Sequence, residues 1–493
     1  MCPAAVTQSS SAYHSITIAE STDLVGLQQL NQQRYPFLLQ TFSSELSPSD
    51  SEQSGFDILF AFPQQTLSLT NNKLKLGDND AEKFRLNPEQ GFLGNLQNWY
   101  QLNQSTYSQQ TLPDHIPFAG GWFVYLGYEL ASEVEPKLNL PEDNSNFPGA
   151  FATRCPAAVI YDHVRKQTLI VTEPGQEHLV EAIQNDINNS RATTNEIKEA
   201  INTFSDSLVN QFQEEPSDRY LESVKKIKDY ICDGDVFQVN LSRHWNATLK
   251  EGVDQFDLYR ALSKTNPSPF AGLVCVPPDI ETKFDNESII SSSPERLVSC
   301  NDNIVETRPI AGTRPRSSQS QQDQAYAEEL MLHPKEIAEH IMLVDLERND
   351  LGRVCVPGSI EVNDLMTRES YARVHHIVSN VTGRIRDDIT PIDVLRAVFP
   401  GGTITGCPKV RCMEIIAELE QVARGPYTGS MGYINYNGKM DFNILIRTFM
   451  LQQDQLSLRT GAGIVYDSDP ESELEETRSK AAALLDALGV NQD

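Results

Sequence analysis

ESIISSSPERLVSC (287–300) and NIVETRPIAGTRPR (303–316) read as successive β-strands. Helices are expected after them, at about 323–347 and 391–420. Further on, GSMGYINYNG and MDFNILIRTFMLQ suggest a hairpin joined to LSLRTGAGIVYDSD, and a last helix is expected over 470–488. Working back, SDRYLESVKKIKDYICDGD places Tyr220, Val224, Ile227 and Ile231 on one helical face, with Ser217 or Asp218 as cap. That helix stops at Asp233-Gly234-Asp235 and turns into the strand VFQVNLSRHW. Strands and helices mix rather than strictly alternate. This predicts an α+β layered domain with antiparallel-rich sheets flanked by helices, and not a Rossmann fold.

Upstream, PFLLQTF and GFDILFAFP suggest strands, a helix is expected near 89–103, and PAAVIYDHVRKQTLIVTE (156–173) reads as a hairpin. GGWFVYLGYELA (120–131) reads as an aromatic strand running into a short helix. The expected organisation is a loose start over 1–20, an N-terminal domain over 21–205, a linker over 206–216 and a second domain over 217–493. A chain of 493 residues allows two or three ordinary domains or one very large one.

The net charge of −28 argues against nucleic acid as a partner, and it means that an anionic substrate would need a local positive site. No run of about 18 apolar residues suggests a membrane span. The polar start MCPAAVTQSSSAYHS lacks the features of a signal peptide. The eight cysteines form no C-x-x-C pair, so reduced thiols in a cytoplasmic protein are expected.

Two Glu-x-x-Glu pairs carry the chemistry. Glu336 and Glu339 lie in HPKEIAEHIMLVDLERND, and Glu473 and Glu476 lie in DPESELEETRSK, with Lys480 one turn on. On a helix, i and i+3 share a face, so each segment presents two carboxylates side by side. Four converging carboxylates repel one another unless a cation separates them, and Mg²⁺ suits oxygen ligands and leaves room for a substrate. Either pair alone reads more simply as an acidic surface helix.

Their company shifts the balance. Gly461-Ala462-Gly463 lets backbone N–H groups approach an anion, and Arg447, expected mid-strand in LIRTF, could clamp a carboxylate. FPGGTITGCPKVRCMEIIAELE places Pro408 at the start of an amphipathic helix, with Thr403 placed to bond a substrate hydroxyl; Lys409 does not have P-loop spacing. His375 and His376, if on a strand, face opposite ways, so only one can enter a site. No G-x-C-x-G elbow with partner His and Glu is present, so glutamine hydrolysis is not expected of this chain, and no dinucleotide fingerprint follows a strand.

The series SPERL, ETRPIAGTRPR, KEIAEHIMLVDLERNDLGRV, VHHIVS, FPGGTITGCPKVRCMEII, GSMGYI, IRT, GAGIV and E-x-x-E-x-x-x-K resembles the chorismate-utilising enzymes. The match is dense over roughly 217–490 and fainter upstream. The resemblance implies a layered α/β/β/α sandwich of the anthranilate synthase component I type and one Mg²⁺-dependent chorismate site. It implies Glu339 and Glu476 as metal ligands with Glu473 beside them, Glu336 as general acid at the departing C4 hydroxyl, and His376 nearby. It implies Gly312, Thr313, Thr403, Tyr427, Arg447, Gly461, Ala462, Gly463 and Lys480 as substrate-binding residues.

Members that add water carry a lysine where this chain has Gln238, so the resemblance implies ammonia as nucleophile, delivered by a glutamine amidotransferase subunit. FPGGTITGCPKVR and VHHIVS look more like aminodeoxychorismate synthase than anthranilate synthase, which is the alternative. Ala311 stands where some aminodeoxychorismate synthases carry a lysine that attacks the ring, and Glu295 resembles a proton donor of those lysine-bearing members. A tryptophan site of the family resembles Leu38-Leu39-Gln40-Thr41 with Asn266-Pro267-Ser268-Pro269-Phe270, although its acid is lost here. A non-catalytic homologue that binds chorismate is the reading from another class; the presence of every candidate metal and acid group weighs against it.

Overall fold

The 287–300 stretch is two strands rather than one, and the second of them forms a hairpin with Ile304–Thr307. Glu287–Ser293 belongs to one sheet and Arg296–Asn301 to another. The chain crosses between them at Pro294-Glu295, where proline has no N–H to give a ladder. A second crossing links strand Met440–Asn443 to strand Thr448–Gln452 through Ile444–Arg447. The two crossings are bonded together: the Ile444 amide donates to the Glu295 carbonyl (3.0 Å) and the Ser292 amide to the Arg447 carbonyl (3.1 Å). Arg447 is therefore not mid-strand. It occupies the bend before Thr448, with φ of 53°.

The computed structural model describes residues 6–9, 13–18, 21–42, 55–77, 84–107, 112–113, 115–200, 207–284, 286–317, 319–370 and 374–490. Within them the strands form an antiparallel sheet of 13 strands and another of 11. Alternation along each strand divides the core into layers. In Phe56–Ala61, Ile58 and Phe60 face the space between the sheets, while Leu59 and Ala61 face helices. Between the sheets, Phe37 and Phe123 stack with centroids 4.1 Å apart. Helices Leu24–Leu30, Gln255–Thr265 and Pro470–Ala487 cover the larger sheet; Gly91–Tyr107, Pro334–Gly352 and Pro391–Val398 cover the smaller one. This is the expected layered α/β/β/α arrangement.

The boundaries differ from expectation. His14–Ile18, inside the expected loose start, pairs with Gln167–Thr172. The expected linker contains strand Val209–Glu214, which pairs with Gln238–Leu249. Both sheets take strands from either side of that segment: Phe37–Gln40 pairs with Phe270–Cys275, and Gly121–Leu126 with Ser430–Asn435. The expected 323–347 helix is two, Ser320–Leu332 and Pro334–Gly352, because Pro334 has no N–H and disfavours helical geometry at His333. The 391–420 stretch likewise splits into Pro391–Val398 and Lys409–Glu420 around the glycine-rich loop.

Candidate active site

Strands Gln238–Leu249 and Gln455–Ile464 form the floor, with Asn240 opposite Gly463, Leu241 opposite Ala462 and Ser242 opposite Gly461. Alternation sends Val239, Leu241, Ala462 and Ile464 into the apolar layer under helices Ser217–Cys232 and Lys409–Glu420. The Ala462 side chain thus points away from the site. The opposite face carries Gln238, Asn240 and Ser242 beside Gly461 and Gly463.

The two glycines make room for these side chains. A Cβ on Gly463 would lie 2.1 Å from Gln238 Nε2, and one on Gly461 would lie 2.8 Å from both Asn240 Oδ1 and the Tyr427 hydroxyl. Gln238 Oε1 and Asn240 Oδ1 are buried without a hydrogen-bond partner. Helix Pro470–Ala487 packs over the same strand. Its Lys480 Nζ donates to the Gly461 carbonyl (2.9 Å) and pairs with Glu476 (2.7 Å).

At the crossings, Arg447 faces Tyr427, Glu295 and Glu476; burial lowers its pKa and these three groups oppose the shift. No hydrogen bond or ion pair from its guanidinium is present among the described residues. Burial pushes Glu295 up to about 7, against the pull of neighbouring Thr403, the Ile310 amide, Arg447 and Lys480. Glu295 Oε1 and the Thr403 hydroxyl are buried without partners.

The third wall is strand Ile310–Pro315, bulged against Val374–Arg384 between Ala311 and Thr313. At the bulge Gly312 has φ of 65°, and a Cβ there would stand 2.8 Å from Glu336 Oε2. Arg314 Nη1 donates to the other oxygen, Oε1, at 3.2 Å. The Thr313 side chain lies outside the described residues. His376 donates from Nδ1 to the Gly312 carbonyl (3.2 Å), and burial pulls its pKa down to about 4, so the ring is neutral. His375 faces the other way, toward Asp323 (3.1 Å) and Ser370 (2.8 Å).

The Glu-x-x-Glu pairs do lie on helices, Pro334–Gly352 and Pro470–Ala487. Burial pushes Glu339 up to about 7; Lys335 opposes this, and the carboxylates of Glu336, Glu473 and Glu476 add to it. Glu473 is also raised by burial. Burial pushes Glu476 up, but Lys480, Lys335 and Arg447 together hold it below the ordinary range. Lys335 stands 3.7 Å from Glu339. Among the described residues no three acidic, His or Cys side chains are gathered as a ready metal-ligand group. Yet the donors are all oxygens, and Glu339 Oε1 is buried with no hydrogen-bond partner, a combination that suits a hard divalent cation.

Two groups escaped the sequence reading. Asn240 was visible only as one polar residue in a strand. Glu420 is buried between Arg424 (2.6 Å) and Arg459 (2.9 Å), beside Ser242, and stiffens the floor's far end. Lys409 is structural: it bonds Asp350 and, at 3.0 Å, the Val398 carbonyl.

The residues of the suspected tryptophan site meet in part. Thr41 and Pro269 line a cavity of about 50 Å³ between the sheets, and Thr41 Oγ1 donates to the Pro269 carbonyl (3.2 Å). Ser268 is buried beside them and Pro267 is half-buried. The missing acid has a neighbour in Asp57, which accepts from Gln40 (3.0 Å), the Thr41 amide (2.9 Å) and His163 (2.8 Å).

A family model described as chorismate binding enzyme matches residues 57–486. The anthranilate synthase component I-like protein of Synechocystis is 41% identical over 389 residues, 78% of this chain and 76% of that protein. Aminodeoxychorismate synthase component 1 of Bacillus subtilis is 40% identical over 402 residues, 80% of this chain and 82% of that protein. The crystal structure of anthranilate synthase component I from Streptococcus pneumoniae superposes with a TM-score of 0.71 at 30% identity, covering 90% of this chain and 98% of that one. The glycine-floored site, with its buried arginine and paired carboxylates, thus lies in a chain that belongs to the chorismate-binding enzyme family.

Proposed function

We propose that the chain is the chorismate-aminating component of an aminodeoxychorismate synthase, converting chorismate and ammonia to 4-amino-4-deoxychorismate with the pyruvyl group kept. One observation carries the choice of ammonia over water. At the position where water-adding members carry a lysine, this chain buries the neutral Gln238, which cannot act as a base at ordinary pH. Ammonia needs no base to become nucleophilic. The FPGGTITGCPKVR and VHHIVS signatures support the aminodeoxychorismate product.

Arg447 holds a substrate carboxylate in bidentate fashion, beside the Tyr427 hydroxyl and the Gly461–Gly463 backbone. Glu336 gives its proton to the departing C4 oxygen, so that hydroxide leaves as water. Arg314 engages Oε1, while Oε2 lies against Gly312. The neutral His376 is fixed on the Gly312 carbonyl and lends shape and polarity there rather than charge. Ammonia adds at C2 as the ring double bonds shift and the C4–O bond breaks, and a second ammonia then displaces that amine by attack at C4, so the net balance is one chorismate and one ammonia giving 4-amino-4-deoxychorismate and one water. Glu339 and Glu476, with Glu336 and Glu473 beside them, would hold Mg²⁺ in place of their lysine contacts; once bound, it would withdraw electron density from the substrate carboxylate. Ammonia would come from a glutamine amidotransferase subunit. The seven described cysteines, all free thiols, are compatible with a cytoplasmic setting.

Ala311 favours a second reading, anthranilate synthase component I, because its methyl cannot form the covalent link that a lysine there would make. Product analysis separates the two. The purified chain is incubated with chorismate, ammonium and either Mg²⁺ or a chelator, with and without an aminodeoxychorismate lyase. Aminodeoxychorismate that becomes 4-aminobenzoate only with the lyase supports the proposal. Anthranilate and pyruvate without the lyase would replace it with the second reading. Turnover undiminished by the chelator would remove the metal assignment.

A further inference from the structure

Lys335 stands where a helix least favours a cation. It is the second residue of Pro334–Gly352, at the positive end of the helix dipole. Its ammonium lies 3.7 Å from Glu339. That is an ion pair but too long for a hydrogen bond, and Glu339 Oε1 is left with no hydrogen-bond partner. A lysine and a glutamate one helical turn apart would ordinarily be a surface contact and nothing more. This lysine also acts on the facing helix, Pro470–Ala487. Burial raises both Glu473 and Glu476, and Lys335 is among the groups that pull each back down. One ammonium thus serves three of the four carboxylates, from two helices. Lys480, the other lysine at the site, is tied down by Glu476 at 2.7 Å and by the Gly461 carbonyl at 2.9 Å. Lys335 is held by charge, with no hydrogen bond from its ammonium among the described residues. Its side chain is 43% exposed, so the way out to solvent is open.

We propose that Lys335 is the resting counter-ion of the metal site, standing beside Glu339, Glu473 and Glu476 until Mg²⁺ arrives and swinging out to solvent as the ion binds. The inference rests on the reading of these carboxylates as the holders of the metal. Carboxylates that face one another in a partly buried place need a positive charge whether or not the metal is there. The ammonium supplies one charge at a distance. Mg²⁺ supplies two and takes the oxygens as direct ligands, so the ion displaces the lysine. The flexible four-carbon stem lets the ammonium leave by rotation about its own bonds, with the helix staying in place. Lys480 stays, anchored on the Gly461 carbonyl. Two consequences follow from the exchange. The metal-free site is stabilised by the lysine, and the affinity for Mg²⁺ is lowered by it, because each ion that binds must displace it. Lys335 is then a positioning residue for the metal's ligands.

Mg²⁺ is titrated into the full chain, without chorismate, by isothermal titration calorimetry for the wild type, Lys335→Met and Lys335→Arg, and Tm is read with and without saturating Mg²⁺. Lys335→Met keeps the stem and loses the charge; Lys335→Gln takes its place if that variant does not fold. The neutral variant is expected to bind Mg²⁺ about three- to tenfold more tightly, a modest factor because solvent screens a half-exposed lysine. Its Tm should fall below that of the wild type in the metal-free protein, and the gap should close once Mg²⁺ is bound. Lys335→Arg keeps the charge and should stay within about twofold of the wild-type Kd. Equal or weaker Mg²⁺ binding by the neutral variant would overturn the counter-ion. So would a loss of Tm that is the same with and without the ion, which is what a plain helix-surface pair gives. A wild type that takes up no Mg²⁺, or a Glu339→Gln variant that takes it up as tightly, would instead overturn the metal reading itself.

Discussion

Arg447 concentrates the electrostatic argument in one side chain. In a chain of net charge −28, a dianionic substrate needs a cation that the protein has not already neutralised. Most arginines near the site are engaged: Arg314 with Glu329 and Glu336, Arg424 and Arg459 with Glu420. Arg447 has charged neighbours but no direct partner among the described residues, and burial works against its charge. A carboxylate arriving there relieves that cost. Arg447→Ala is expected to raise the KM for chorismate about 10- to 150-fold, from the loss of roughly 1.5–3 kcal/mol of charge-assisted hydrogen bonding. Arg447→Lys should recover only part of it, since an ammonium cannot reproduce the two-pronged geometry. Steady-state kinetics with chorismate varied checks both; an unchanged constant would move the carboxylate elsewhere.

At the scale of elements, the bulge in Ile310–Pro315 is the feature that positions Glu336, the proposed acid. It lets Gly312 adopt φ of 65° and brings its backbone against Glu336 Oε2, while its carbonyl holds His376. An alanine there meets two separate problems. The left-handed backbone costs about 1–2 kcal/mol, and the methyl pushes the Glu336 carboxylate off its line. Gly312→Ala should therefore lower kcat on the order of 100-fold, as a displacement near 1 Å can do, with a modest fall in Tm. Gly358→Ala is the control. Gly358 also has positive φ, 80°, but its Cβ would meet nothing within 4 Å. It should show the same order of stability loss with activity intact. Equal losses of activity in both would mean that backbone strain alone explains the effect.

At the scale of the molecule, neither side of the 206–216 segment owns a sheet. Phe37–Gln40 needs Phe270–Cys275, Gly121–Leu126 needs Ser430–Asn435, and the aromatic layer between the sheets draws Phe37, Phe60 and Phe123 together with Ile289, Met431 and Leu445. Fragments 1–206 and 207–493 expressed alone should each lack a cooperative thermal transition, and co-expression should restore one; an independently folding 207–493 fragment would refute this. The same interleaving marks the limit of what sequence could deliver. Apolar periodicity and proline positions are local, so helices such as Ser217–Cys232 and Pro470–Ala487 and the strand floor Gln455–Ile464 were legible, as were both carboxylate pairs. The residue types at Gln238, Glu295, His376 and Arg447 were legible as well, through their motifs. Local pattern cannot say which strand lies beside which. SPERL and LIRTF read as ordinary strand segments, and only the assembled sheets make them crossings that bring Glu295 and Arg447 into one site. Strand alternation, read with the partner strand in place, turned Ala462 away from that site and placed Asn240 in it. The sequence by itself determined the chemistry available and the local shape of its carriers; pairing across more than 200 residues decided which carriers meet, because burial and hydrogen bonding act on neighbours in space and not in the chain.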